Sequence, residues 1–227
     1  MIYVVSFISV FIYSLLILWL VRSATNEKPG RLLFCVLLGM ISAVIALMGE
    51  YFWNVLLGDV IASHRSLIIL ESFIGVGLIE ETTKWLWLAF VIIHWRSFDR
   101  YSDGILYACG IAAGFNLVEG FLYISNGGEF MNILIRGFTA VPVHFLFAII
   151  MGFLFSRYKF EKKKFLWFSI GIPTVLHGIY DFFILQKYTE LLMGGAILVF
   201  AGCLSLSIWV CRNAMRADRL KFSDTNI

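Results

Sequence analysis

Hydrophobic residues occur along this chain in long runs that are separated by short polar connections. A helix that crosses the bilayer core needs about 20 consecutive apolar residues, and seven runs approach or exceed that length. They cover residues 2–21, 32–57, 66–93, 104–124, 132–155, 165–185 and 190–211. The pattern predicts an all-α, polytopic membrane bundle of about seven transmembrane helices.

The composition agrees with this fold class. Of the 227 residues, 60% are hydrophobic and 15% are charged, whereas ordinary soluble domains average about 45–50% and about 25%. Disordered and nucleic-acid-binding proteins are therefore excluded, and the lipid bilayer is the expected partner. Because no repeat or shift in composition divides the chain, we expect one domain over residues 1–227. Its core would cover about 66–185, and a basic tail would cover 212–227.

The distribution of Lys and Arg predicts how the bundle is oriented. Fourteen of these residues lie in or beside the first, third and fifth connections and the tail, against two in the other connections. Positively charged flanks stay in the cytoplasm, which places the N-terminus outside and the C-terminus in the cytoplasm. The first run has no Lys or Arg before it, so we interpret it as a retained helix rather than a signal peptide.

Four of the runs contain polar side chains that are costly in hydrocarbon. Each central Glu, Asp or Lys costs roughly 2.5–3.5 kcal/mol on insertion, and such residues usually indicate a functional site. The alternative is a set of internal salt bridges that tie the helices together. The residues are Glu80, Glu81 and Lys84 in the third run, Asn116 and Glu119 in the fourth, His144 in the fifth, and His177 and Asp181 in the sixth.

Helical spacing predicts two pairs among these residues. Glu80 and Lys84 are separated by four positions, as are His177 and Asp181, so each pair shares one helix face. The polar residues lie at the middle of their runs or toward the outer side, so we expect a cluster that opens outward.

Prolines lie close to both histidines of these runs. Pro142 precedes His144, and Pro173 precedes His177. A proline within a helix kinks it and frees a carbonyl, so we expect water to enter beside both rings.

Three charged residues near the ends of runs are assigned no role. Glu50, Glu71 and Arg136 can extend toward the membrane surface.

Carboxylates and histidines with access to water suit hydrolysis, because a buried Glu can act as general base and a histidine can stabilise an oxyanion. The same residues would serve a proton- or cation-coupled transporter. A non-catalytic membrane protein on the same scaffold is a third possibility. Composition and spacing alone leave these readings open.

Four ordered motifs carry a family resemblance. Glu80-Glu81-Thr-Thr-Lys84, Phe115-Asn-Leu-Val-Glu119, His144 with Gly152 eight residues later, and His177-Gly-Ile-Tyr-Asp181 resemble the PrsW family of intramembrane proteases over about residues 75–185. The resemblance implies a multi-pass peptidase of the bacterial cytoplasmic membrane. Such an enzyme makes the first cut in a membrane-anchored substrate, such as an anti-sigma factor, on its extracytoplasmic side during regulated proteolysis.

The resemblance also implies roles for individual residues. Glu80 and Glu81 match the essential pair, one of which would activate water, and His144 and His177 would complete the catalytic set. Supporting positions are Lys84, Asn116, Glu119 and Asp181.

The resemblance also implies kinship with the CAAX prenyl endopeptidases, and this chain departs from those relatives at two positions. It has Glu119 where they have a histidine, and Lys84 where they have an arginine. Both departures argue against transferring their prenyl-protein specificity or their metal ligation.

A metal ion is the alternative to a glutamate mechanism. His144, His177 and Glu119 could supply three ligands to a catalytic zinc. No paired-histidine motif such as HExxH is present, and Lys84 already supplies a positive charge near the glutamate pair. We therefore expect a metal-free mechanism, with zinc as the alternative cofactor.

Overall fold

The computed structural model describes residues 27–57, 64–125, 136–186 and 190–223, and every regular element within these ranges is helical. We number the α-helices α1 to α7. They are α1 (Pro29–Leu57), α2 (His64–Leu70), α3 (Ile79–Phe90), α4 (Tyr101–Ser125), α5 (Ala140–Phe160), α6 (Phe165–Leu185) and α7 (Glu190–Ser223). A π-helix (Glu71–Leu78) joins α2 to α3, and a 3-10 turn (Ile92–His94) follows α3.

Five helices in the described part of the chain are long and apolar enough to cross a membrane: Pro29–Leu57, Tyr101–Ser125, Arg136–Phe160, Phe165–Leu185 and Gly194–Lys221. They correspond to five of the seven predicted runs, and the first predicted run, 2–21, lies outside the described residues. The run predicted at 66–93 is helical but divided among α2, the π-helix and α3. The count of seven and the orientation remain predictions.

The π-helix occurs where the sequence offers an alternative to regular α-helical bonding. The hydroxyl of Ser72 donates to the carbonyl oxygen of Ile68 at 2.7 Å, and Gly75 and Gly77 lie within the segment. Short π-helical insertions are rare and are frequently found at functional sites. This one ends immediately before the first turn of α3.

The protein core lies between α4 and α5. Residues 103–116 of α4 are buried without interruption, whereas α1 and α7 present many apolar side chains outward, as lipid-facing helices do. α1 crosses α4 closely, because a Cβ added at Gly114 would lie 1.9 Å from the carbonyl oxygen of Val36. The small residues of α4 therefore permit close helix packing.

The two prolines behave differently. Pro173 lies inside α6, as expected. The span Arg136–Phe160 is interrupted by a turn at Thr139, three residues before Pro142, and α5 begins at Ala140. Pro142 is thus in the first turn of α5, where a missing N–H breaks no helical hydrogen bond.

The start of α4 is held by a side chain from the last helix. The carboxylate of Asp218 accepts hydrogen bonds from the backbone N–H of Tyr101 at 2.6 Å and of Ser102 at 3.1 Å. These are groups that the first turn of a helix cannot satisfy itself. Helix α7 thereby caps α4.

Candidate active site

Two adjacent glutamates form the centre of the candidate site. Glu80 and Glu81 occupy the first turn of α3, directly after the π-helix, and are only 5% and 1% exposed. The ammonium group of Lys84 lies 2.6 Å from Glu81 Oε1 and 3.4 Å from Glu80 Oε2. The predicted Glu80–Lys84 pair is present, but the shorter contact joins Lys84 to Glu81.

The imidazole of His144 reaches the glutamate pair from α5. Its Nδ1 is 3.3 Å from Lys84 Nζ and 3.9 Å from Glu80 Oε2. On the other side of the ring, Nε2 is 3.2 Å from Glu119 Oε2. His144 therefore lies between a carboxylate of α4 and the charged groups of α3.

The imidazole of His177 reaches the same pair from α6. Its Nδ1 is 2.9 Å from Glu81 Oε1, and its Nε2 is 3.2 Å from Asp181 Oδ2. The predicted His177–Asp181 pair is therefore confirmed as a contact. The ring stacks on Phe147, with centroids 5.1 Å apart, and lies nearly perpendicular to the ring of His144.

The two histidines share one arrangement. Each turns Nδ1 toward the glutamate pair and places Nε2 against an outer carboxylate, which is Glu119 for His144 and Asp181 for His177. An outer carboxylate fixes the orientation of an imidazole ring and raises the basicity of its inner nitrogen. The site thus contains two oriented histidines facing two buried glutamates.

A close helix crossing brings α6 to the glutamate pair. A Cβ added at Gly178 would lie 2.5 Å from Cδ1 and 3.0 Å from the backbone Cα of Phe73, which belongs to the π-helix. Gly178 directly follows His177 in the sequence. A residue without a side chain permits this approach, which packs α6 against the π-helix one residue from His177.

A cavity of about 160 Å³ borders the cluster on one side. Glu80 lines this cavity and Glu81 does not, so Glu80 is the member of the glutamate pair that a molecule in the cavity can reach. The lining residues are Ala43, Leu47, Glu50, Glu80, Phe115, Glu119, Leu122, Tyr123 and Arg136.

Two residues that the sequence analysis left without a role lie at this cavity. The guanidinium of Arg136 forms an ion pair with Glu119 and lies over the ring of Tyr123, with 4.5 Å to the centroid. Glu50 lines the cavity wall. A signal for Arg136 did exist in the sequence, since Glu119 has no cation on its own helix and Arg136 is the next basic residue along the chain.

Asn116 and Glu71, by contrast, lie outside the central cluster. Asn116 donates from Nδ2 to the carbonyl oxygen of Val141 at 3.3 Å. Glu71 accepts a hydrogen bond from the indole of Trp53 at 2.8 Å.

Four side chains of the cluster could share a metal ion. One ligand atom from each of Glu80, Glu81, His144 and His177 can be chosen so that all four lie within 4.8 Å of one another. Glu119, which the sequence analysis grouped with the two histidines, contacts Nε2 of His144 and lies outside this set.

Comparison with known proteins gives one family and several curated relatives. The model of the PrsW family intramembrane metalloproteases matches residues 27–208. Protease PrsW of Clostridioides difficile is 32% identical over 171 residues, which cover 72% of this chain and 71% of that protein. Protease PrsW of Geobacillus kaustophilus is 39% identical over 121 residues, which cover 52% and 53%.

Other curated relatives match a similar share. Protease PrsW of Bacillus subtilis is 35% identical over 116 residues, which cover 49% of this chain and 52% of that protein. The chain thus spans about half the length of several curated relatives that it matches. No solved structure matches it significantly. With five apolar helices among the described residues and these bacterial relatives, the chain is a multi-pass protein of a bacterial membrane.

Proposed function

The chain belongs to the PrsW family of intramembrane metalloproteases, and from this premise we propose that it is an endopeptidase that cleaves a membrane-anchored protein, such as an anti-sigma factor. The observation that carries the proposal is the buried glutamate pair, which two oriented histidines contact and which a cavity borders through Glu80. The family favours this activity over the transporter and the non-catalytic alternatives.

Glu80 is the general base in this proposal. It lines the cavity, and its Oε2 lies 3.4 Å from Lys84 and 3.9 Å from His144. Glu81, by contrast, is held by Lys84 at 2.6 Å. A carboxylate in the position of Glu80 can take a proton from a water molecule while the water oxygen attacks the scissile carbonyl carbon. Glu80 then returns the proton to the departing amide nitrogen.

The remaining residues of the cluster orient these groups and balance charge. Glu81 accepts from both Lys84 and His177, and this fixes the first turn of α3 beneath Glu80. His144 and His177 face the pair from two other helices and would stabilise the negative charge that develops on the carbonyl oxygen.

Both the donor set and the charge of the cluster fit a divalent metal ion. Two imidazole nitrogens and two carboxylates are a usual zinc donor set, and the carboxylates on the outer nitrogens match the surroundings of metal-bound histidines. Glu80, Glu81, His144 and His177 would hold the ion. When bound there, it would supply a Lewis acid and a water molecule that ionises near neutral pH.

Lys84 contacts three of the same four residues and would compete with an ion for them. The metal-free mechanism that the sequence favours therefore stays a prediction. If the mechanism is metal-free, the purified protein should be active without stoichiometric zinc, and chelators should not inhibit it. About one zinc per chain, with activity lost on chelation and regained on zinc addition, would contradict it.

The activity itself is tested with purified protein in detergent and a single-span protein substrate. We expect the wild type to shorten the substrate and a Glu80→Gln variant to be inactive. The variant should remain in the membrane, because losing a charge makes insertion easier. An uncleaved substrate, or a Glu80→Gln variant within a few-fold of wild type, would contradict the proposal.

A further inference from the structure

A second, smaller cavity of about 20 Å³ lies between α4 and the segment that begins α5. Asn116 and Glu119 line it from α4, and Arg136 and Gly137 line it from the other side. Glu119 and Arg136 also line the larger cavity that Glu80 borders. The two cavities are therefore neighbours, and the smaller one exceeds the roughly 10–15 Å³ that a single water molecule needs.

Asn116, which lines this cavity, carries a side-chain acceptor that has no described partner. It is 1% exposed, and its Nδ2 donates to the carbonyl oxygen of Val141. Its Oδ1 is buried and has no hydrogen-bond partner among the described residues. Buried polar atoms in native proteins are nearly always hydrogen-bonded, so the position of Oδ1 suits an N–H donor that comes from another molecule.

Arg136 brings spare donors to the same place. A guanidinium carries five N–H donors and one carboxylate accepts two of them at most, so the ion pair with Glu119 leaves others available. The side chain is 36% exposed. At the adjacent Gly137, no described atom lies within 4 Å of the position that a Cβ would take. Another polypeptide backbone therefore has room to approach.

Intramembrane proteolysis creates a need for such groups. A membrane-spanning helix satisfies its own backbone, and each N–H or C=O that is freed by unwinding costs several kcal/mol in the absence of water. A protease that unwinds a segment near the scissile bond must therefore offer both an acceptor and a donor. Asn116 and Arg136 offer this combination next to the cavity of Glu80.

We propose that Asn116 and Arg136 bind the unwound backbone of the substrate beside the scissile bond. Oδ1 of Asn116 accepts a hydrogen bond from a substrate N–H, and the guanidinium of Arg136 donates to a substrate carbonyl oxygen. The ligand is an extended peptide backbone, whatever its side chains. This inference rests on the proposed protease activity and adds the residues that bind the unwound substrate backbone.

A backbone ester scan tests the inference. Synthetic single-span peptides carry one ester in place of an amide, at each of four positions on either side of the scissile bond, which itself stays an amide. An ester removes one N–H and leaves every side chain in place. One hydrogen bond of this kind is worth about tenfold in binding. We therefore expect KM to rise about tenfold at one position, with kcat within twofold.

Two substitutions assign the effect to Asn116. Asn116→Ala should abolish the difference between ester and amide at the sensitive position, whereas Asn116→Asp retains Oδ1 and should retain the difference. If Asn116→Ala does not fold, the scan on the wild type and on Asn116→Asp still tests the inference, because the absence of a sensitive position from either protein would overturn it.

A third substitution separates the two roles of Arg136. Arg136→Lys keeps a positive charge for Glu119 but loses the additional N–H donors of the guanidinium group. KM should rise about tenfold in this variant, whereas an unchanged KM would mean that Arg136 serves Glu119 alone.

The outcomes separate this inference from the proposed function. A wild type that leaves the all-amide peptide uncut contradicts the protease activity itself. Cleavage with no sensitive ester position means that a water molecule alone fills the small cavity, and it overturns the inference while the activity stands. An ester penalty that persists in Asn116→Ala would equally overturn it.

Discussion

Replacing Glu81 with Gln should cost much more stability than replacing Glu80 with Gln, although both changes should abolish cleavage. Glu81 is 1% exposed and contacts Lys84 at 2.6 Å and His177 at 2.9 Å. The contacts of Glu80, at 3.4 and 3.9 Å, are longer and therefore weaker. The two residues are adjacent, yet only Glu81 is held by short contacts.

The magnitudes follow from these contacts. Breaking a buried ion pair by removing one partner costs about 3–5 kcal/mol. Since a Gln at position 81 keeps one acceptor, we expect the lower end of that range. Removing the weaker contacts of Glu80 should cost about 1 kcal/mol. For a chain of this size each kcal/mol moves the Tm by about 2–4 °C. We therefore expect Tm to fall by about 6–12 °C for Glu81→Gln and by about 2–4 °C for Glu80→Gln.

Thermal unfolding of the purified variants in one detergent, followed by tryptophan fluorescence, measures the difference. Glu161→Gln serves as a matched control, because Glu161 pairs with Arg157 at 2.7 Å on an exposed surface and such pairs contribute at most about 1 kcal/mol. Equal shifts for the two active-site variants, or a larger shift for Glu80→Gln, would refute the assignment of Glu81 as the anchor and Glu80 as the base.

Two further predictions concern the topology and the geometry of the site. In a background without the native cysteines, labels at residues 60 and 128 should react from outside and a label at residue 160 should not; the reverse pattern would contradict the outward-opening site. Gly178→Ala should lower kcat about tenfold or more without loss of expression, because misplacement by 1 Å can cost about a hundredfold. Gly171→Ala, on the same helix with open space at its Cβ, should match wild type.

Local patterns account for what the sequence could predict. Five membrane helices follow from unbroken apolar runs, since the length of such a run alone defines a span. The contact of His177 with Asp181 follows from a separation of four residues on one helix, which requires no knowledge of the fold.

Features that depend on tertiary packing could not be predicted from local sequence patterns. The π-helix interrupts the predicted third span without disturbing its hydrophobic pattern, and it precedes the turn in which Lys84 lies closer to Glu81 than to Glu80. The ion pair of Arg136 with Glu119 joins two elements that are separated by a connection. Only the packing of α4 beside the start of α5 brings these side chains together.

The cap that α7 places on α4 has a consequence for biogenesis. Asp218 lies 117 residues after Tyr101, so the ribosome produces the cap of α4 only after the remaining described helices have been synthesised. Until then, two backbone N–H groups at the start of a largely buried helix lack this partner. Helix α4 carries Glu119, the carboxylate that orients His144. Completion of the bundle and final ordering of the proposed catalytic groups should therefore coincide late in synthesis, and if the proposed activity holds, a partly made chain would not cut its neighbours in the membrane.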